Sequence, residues 1–464
     1  MATSTALSNP LRGFVHRRRR GAELFLLVLA LVVGIGAYAA AGIGVQGKVP
    51  PDIVGYGGWL AALVLGAHLV VRLVAPYADP VLLPVVAALN GLGLAVIHRL
   101  DLADNTDFAR QQLTWMTLGV GLFAATLLIL RDHRVLTRFT YTCGLSAIVL
   151  LLMPQMPFVG KEINGARIWI GVGPFSLQPG EVAKVLLVIA FAGYLVLHRD
   201  ALALAGRRVA FVDLPRGRDL GPILAMWAVS LAILVFQNDL GSSLLFFGLF
   251  LIMLYVSTER PGWLVVGGLL FVVGAIVASL LISRVGVRVD LWLDPYKYFG
   301  EGTTDNGRQI VLSQFGMAWG GLIGRGFGEG SPWLVSYANS DFIMSSIGEE
   351  LGLTGVMAVL VLYGLIVERS LRIALISRDG FGKLLATGLG GVFALQVFVV
   401  VGGVTRLIPL TGLTTPFLSY GGSSLVANWV IIALLLRVSD LARRPLPDLS
   451  EEDDDDQSTQ VIRL

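Results

Sequence analysis

Residues 340–367 read SDFIMSSIGEELGLTGVMAVLVLYGLIV, a polar, acidic stretch that runs straight into an apolar one. The apolar half has the character of a membrane helix. Three carboxylates, Asp341, Glu349 and Glu350, stand at its polar edge. Carboxylates beside hydrocarbon are costly unless solvated, paired or used. If one helix carries all three, Asp341 and Glu349 fall near the same face. Two readings follow. Asp341, behind Ser340, caps a helix start, or it belongs to an acidic, partly desolvated site at a membrane edge.

The rest of the chain repeats the apolar pattern. Of its 464 residues, 55% are hydrophobic and 14% charged, with mean hydropathy +0.75. Soluble domains carry about 25% charged residues, so this is an integral membrane protein. The expected fold is all-α and polytopic, with about 12 transmembrane helices. The spans fall near 22–43, 54–74, 81–97, 113–130, 136–153, 182–197, 220–236, 240–257, 262–283, 342–367, 384–404 and 417–438. The third is short and contains Pro84.

The net charge of +3 is split between RGFVHRRRR near the start and EEDDDD near the end. The arginines anchor a first helix on the cytoplasmic side, which leaves no reason to invoke nucleic acid. The run after them is of full spanning length, unlike a cleavable signal peptide. The single cysteine, Cys143, excludes an intrachain disulfide and a thiolate metal site.

Orientation follows from Lys and Arg. RDHRVLTR, the segment from HRD to PRGRD, and ERSLRIALISRDGFGK hold most of them, so these loops face the cytoplasm, as do both termini. The outer loops 154–181 and 284–341 are then the two large ones, rich in aromatics, glycine and ionisable groups. Glu181 and Lys184, three apart at the start of the sixth span, share a helix face. Asp239, in QNDLGSS, precedes the eighth span and faces the same compartment as Asp341. Arg406 precedes a Pro- and Gly-rich segment, and irregular backbone near membrane depth belongs in a protein-lined cavity. Asp79, Arg131 and Asp132 read as solvated residues of the inner face. Together these residues describe an outward-facing cavity with acidic and basic walls.

Five ordered motifs resemble one family: NGARIWIGVGPFSLQPGEVAK, QNDLGSS, LDPYKYFGEGTTDNGRQIVLSQ, SDFIMSSIGEELGLTG and IPLTGLTTPFLSYGGSS. They are similar to those of the RodA/FtsW proteins of shape, elongation, division and sporulation (SEDS), closest to the actinobacterial RodA-like branch. The resemblance implies a SEDS core of ten spans, so two more lie at the N-terminus. With the charge pattern, which makes 1–21 a basic cytoplasmic segment and 439–464 an acidic, disordered cytoplasmic tail, it divides the rest into N-terminal helices 22–98 and a catalytic membrane core 99–438.

The resemblance also implies an inverting peptidoglycan glycosyltransferase. Its substrate is lipid II, a disaccharide-pentapeptide on undecaprenyl pyrophosphate, polymerised on the outer membrane face. The partner implied is a class B penicillin-binding protein, for elongation or division. Asp341 matches the family's catalytic aspartate. Arg167, Trp169, Glu181, Lys184 and Asp239 match its other motif residues. These, with Arg406 and Glu349, are the substrate-binding candidates. Lys184, Arg167 and Arg406 are the cations expected near the diphosphate. No protein metal site is expected, although magnesium or manganese suits diphosphate chemistry. Ser340, Asn238 and Gly180 depart from the family's usual Thr, Pro and Ser, and GRQ stands where GYQ is usual. Two other classes compete with the enzyme: a lipid II flippase, which would line both membrane halves with polar groups, and a scaffold for cell-wall synthases, which would tolerate loss of Asp341.

Overall fold

Backbone polar groups in hydrocarbon must be satisfied within the chain, so long apolar runs become helices. The computed structural model describes residues 18–163, 166–172, 175–199, 207–209, 212–214, 217–299 and 305–445. The acidic tail from residue 446 and the residues before Arg18 lie outside them.

The first four helices are α1 (Arg20–Gln46), α2 (Ile53–Val74), α3 (Leu82–Asp104) and α4 (Phe108–Ile129). Then come α5 (Thr140–Leu152), extended at both ends by 3-10 turns, and α6 (Pro179–Leu197). The next three are α7 (Gly217–Phe236), α8 (Leu240–Thr258) and α9 (Gly262–Leu281). Between α9 and the last spans lie α10 (Ser283–Leu293), α11 (Asp305–Gly320) and α12 (Ile343–Glu350). The chain ends with α13 (Gly352–Ile376), α14 (Gly380–Val404) and α15 (Gly422–Arg443).

Ten helical stretches among the described residues are long and apolar enough to cross a membrane. They are α1–α4, the stretch His133–Gln155, α6, α8, α9, α14 and α15. The chain is therefore an all-α, polytopic membrane protein. Of the other expected spans, α7 offers a shorter apolar stretch, Gly221–Phe236. The second, α13, is 25 residues long, with Glu368, Arg369 and Arg372 in its second half.

Three details differ from the sequence reading. The third span is a full 23 residues, because Pro84 sits in the first turn of α3, where a missing N–H costs nothing. The expected span 342–367 is broken. α12 ends at Glu350, and Gly352, at φ +68°, starts α13 on a new course. The backbone groups freed by this break are paired with the loop at 321–326. Leu353 N and Thr354 N donate to the carbonyls of Gly321 and Leu322, while Arg325 N and Gly326 N donate to those of Glu349 and Glu350. Asp79 is fully buried and not solvated. It pairs with Arg443 and, at 3.8 Å, with Arg369, and it accepts from Val81 N at 2.9 Å. Charges in this apolar setting persist only when paired. Arg131 does lie at the surface.

Outside the spans, the first large loop folds into an antiparallel sheet of β1 (Gly160–Ile163), β2 (Ala166–Val172) and β3 (Phe175–Leu177). A second ribbon pairs β4 (Arg207–Val209) with β5 (Val212–Leu214). α3, α14 and α15 form the centre and are buried on most sides. By contrast, α9 buries only Trp263 and Gly267. α1 crosses α3 where Gly34 meets Gly91: a Cβ on Gly34 would come within 2.9 Å of the Gly91 Cα. Small residues at such crossings let membrane helices approach closely.

Candidate active site

Asp341 does not cap a helix. α12 begins at Ile343, its N-cap residue is Phe342, and no side chain bonds the helix start. The carboxylate instead faces a cavity. Two chambers meet there, one of about 450 Å³ and one of about 430 Å³. Both are lined by Asp341, Arg288, Tyr337, Asn238, Gly412 and Ala166. Gly412, at φ +76°, holds a backbone conformation that favours glycine, and a Cβ there would stand in ordinary contact with Asp341 Oδ2, at 3.6 Å. Asn238 and Tyr337 have φ of 60°, an uncommon conformation for residues other than glycine. Such backbone collects at functional sites.

The segment that opens α15 holds Asp341 in place. Ser419 Oγ donates to the Ser340 carbonyl at 2.6 Å, and Tyr420 N donates to the Asn339 carbonyl at 2.8 Å. The same segment is tied to α4, where Gln112 Nε2 donates to the Ser419 carbonyl at 2.9 Å. These bonds fix the backbone just before Asp341.

The electrostatics suit a proton acceptor. Burial pushes the Asp341 carboxyl up to about 6, against the opposing pull of Arg288 and the Ser340 hydroxyl. Burial also raises Asp239, although Ser242 favours its charged form. The cation between them is Arg288, on α10. Burial lowers its pKa, while Asp239 and Asp341 favour its charge. Arg288 Nη1 donates to the Thr411 carbonyl at 3.2 Å, which aims it across the cavity. Arg288 was not among the sequence candidates, yet it lines both chambers and Arg284 lines one. Four residues apart on a helix, they share a face. That spacing was the available signal.

Of the other candidates, Trp169, Glu181 and Asp239 line the second chamber. Asp239 also caps α8, accepting from Ser242 N at 3.0 Å. Lys184 sits beneath the chamber floor, buried, with Nζ 2.5 Å from Glu181, 3.1 Å from Gln396 and 3.4 Å from Asn428. Of these three partners, Glu181 lines the chamber. Gln178 N, at the start of α6, donates to Ser423 Oγ at 2.9 Å.

Three candidates stand apart. Arg167 donates to the Met156 carbonyl at 3.3 Å and braces the sheet loop. Arg406, at φ 61°, donates to the carbonyls of Trp292 and Leu293 at 2.8 and 3.1 Å, securing the end of α10. Glu349 is buried and accepts from Ser331 N at 2.7 Å. Because Asp341 precedes α12, the shared helix face expected for it and Glu349 does not form. Neighbouring Glu350 pairs with Arg99 at 2.8 Å. Among the described residues, no group of three or more His, Cys, Asp or Glu side chains could hold a metal ion.

Comparison with known proteins gives this cavity a setting. The chain is 49% identical over 435 residues to the peptidoglycan glycosyltransferase RodA of Mycobacterium tuberculosis, covering 92% of each chain. It is 46% identical over the same length to that of Mycobacterium leprae, again covering 92% of each chain. Among solved structures, it resembles a chain from work on structural coordination of polymerization and crosslinking by a peptidoglycan synthase complex. That match has a TM-score of 0.63 and 29% identity, and covers 79% of this chain and 98% of the other. The rod shape determining protein RodA of Thermus thermophilus matches with TM-score 0.53 and 27% identity, over 78% of this chain and 96% of that one. Residues 80–444 match the model of the FtsW, RodA and SpoVE cell cycle proteins, and the chain belongs to that family.

Proposed function

We infer that the two-chambered cavity polymerises lipid II into the glycan strands of peptidoglycan. The observation that carries this is Asp341, with its raised pKa, at the junction of two chambers beside Arg288. Glycan polymerisation needs two lipid-linked sugars to meet at one base. In this reading the chamber lined by Arg284, Arg288, Val287 and Leu291 receives the donor, the growing chain on its lipid diphosphate. The chamber lined by Trp169, Glu181 and Asp239 receives the acceptor sugar.

Asp341 takes the proton of the acceptor 4-hydroxyl, whose oxygen attacks the donor anomeric carbon. The bond to the diphosphate breaks, and the charge that collects on the leaving group faces Arg288. One displacement converts an alpha donor into a beta linkage, with inversion. A positioned base contributes about 10²- to 10⁴-fold, and oriented cations stabilise the departing charge. The family and its RodA relatives support this reaction, and a class B penicillin-binding protein is the crosslinking partner we assign to it. The test is purified protein, with and without that partner, incubated with labelled lipid II. Glycan polymer is expected in both samples. Labelled lipid II that stays monomeric in both would overturn the assignment.

The Glu181–Lys184 pair has a testable role of its own. Lys184→Met leaves a buried carboxylate without its partner, so folded yield and activity should both drop. Glu181→Gln with Lys184→Met removes both charges. This double variant should fold well yet polymerise at least about tenfold more slowly, because the chamber has lost its carboxylate. Restored polymerisation would make the pair a structural strut only.

For topology, the reading is that α7 and α13 also cross the membrane, giving twelve spans with both termini and residues 368–382 inside. Residues 284–341, and with them Asp341, then face outward. The arginine-rich loops support this. Single cysteines in a Cys143→Ser background should be labelled by an impermeant thiol reagent in intact cells at 284–341. Labelling at 368–382 would reverse the orientation.

A further inference from the structure

A second cavity, larger than either chamber at Asp341, opens where α1 and α2 meet α3 and α4, with a volume of about 1450 Å³. α1 and α2 precede the family match at residue 80, so Tyr38, Gln46, Asp52, Gly55, Tyr56 and Trp59 of its wall lie outside the matched residues. Its two ends differ in chemistry. One end gathers Asp52, His98, Asp107 and Arg110, and the other descends along α4 past Leu113, Leu118 and Leu122. The polar end lies at the same level as the active-site cavity, since Gln111 and Trp115, on the next face of α4, line that cavity.

The polar end is built from aromatic rings and hydrogen-bonding groups. Tyr38 is stacked between Tyr56 and His98, with ring centroids 3.8 and 4.0 Å away. Tyr38 Oη donates to Asp52 at 2.8 Å. Tyr56 is 8% exposed, lines the cavity, and its hydroxyl has no hydrogen-bond partner. A buried hydroxyl without a partner costs free energy that a ligand can recover. Trp59 donates Nε1 to Thr117 Oγ1 at 3.0 Å, yet is 55% exposed. That bond clamps α2 to α4 and leaves the indole available as a stacking surface.

Charge narrows the ligand. Asp52, Asp101 and Asp107 line the cavity against the single guanidinium of Arg110, so a phosphate headgroup is disfavoured. Asp101 is already taken by Thr106, Phe108 N and Ala109 N, which leaves Asp52 and Asp107 as the acceptors for a ligand. Carboxylates accept from hydroxyl groups, and aromatic faces pack on the C–H faces of a sugar ring. The apolar end accepts an acyl chain. We propose that this cavity binds a lipid with an uncharged, polyhydroxylated headgroup: a glycosyl lipid of the same leaflet that α1 and α2 hold against the catalytic core. The site is independent of the polymerase assignment, because none of its residues lines the Asp341 cavity.

The test is native mass spectrometry of the full chain released from a non-glycosidic detergent. Monoglucosyl diacylglycerol and phosphatidylglycerol with matched acyl chains compete for it. One glucosyl lipid should be retained, with about tenfold preference over phosphatidylglycerol, the worth of one or two well-placed hydrogen bonds. Leu118→Trp fills the apolar end and should cut that retention about tenfold. Lipid II polymerisation by the same variant checks that it is folded and should be unchanged. Equal retention of phosphatidylglycerol, or retention indifferent to Leu118→Trp, would overturn the proposal and mark the cavity as filled by bulk lipid.

Discussion

Asp341→Asn should lower lipid II polymerisation by roughly 10²- to 10⁴-fold, the usual worth of a positioned general base. The substitution keeps the size of the side chain and removes its basicity. It cannot act by weakening a helix start, since the carboxylate caps nothing. Expression and membrane insertion should therefore be unchanged. Asp341→Glu keeps the charge but moves it by one methylene, and a displacement of about 1 Å can cost a hundredfold. Both variants should be poor. The pH dependence has a definite sign. A base works only when deprotonated, and burial sets this carboxyl at about 6. Wild-type activity should be level above that value and fall about tenfold for each pH unit below it. An Asn variant that retains more than a third of wild-type activity would remove Asp341 from the mechanism.

Arg288→Met is the second large effect. A desolvated donor aimed at developing charge is worth about 10²- to 10³-fold in rate. Arg288→Lys restores the charge but not the bond to the Thr411 carbonyl, so it should recover only part of the loss. The acid limb of the pH profile separates electrostatics from architecture. Arg288 favours ionised Asp341. Without it, the carboxyl titrates higher and the acid limb should move to higher pH. A residue that merely braced α10 would reduce activity and leave that limb in place.

The sequence carried the membrane class, most span positions and the residues of the second chamber. Apolar runs of spanning length have one solution in hydrocarbon, so the helices at 240–258 and 380–404 were legible from composition alone. Asp341, Glu181 and Asp239 were legible because carboxylates at span ends demand an explanation. Arg288 was passed over: its four-residue spacing from Arg284 is a signal only once the loop is known to form a helix, α10. The break at Gly352 was not legible. An apolar sequence does not reveal that its backbone groups are paired by a loop some thirty residues earlier. Asp79 was misread for the same reason: both of its partners, Arg369 and Arg443, lie far along the chain. Arg406, Arg167 and Glu349 were singled out by residue type, and their side chains are spent on carbonyls and an amide of neighbouring loops.

The opening of α15 touches both sides of the second chamber. Ser419 and Tyr420 grip the residues before Asp341, Ser423 holds the start of α6, and Asn428 reaches Lys184 beneath Glu181. The base and the opposite wall therefore share one reference frame. A displacement of α15 along its axis would carry both, and the gap between them would keep its width.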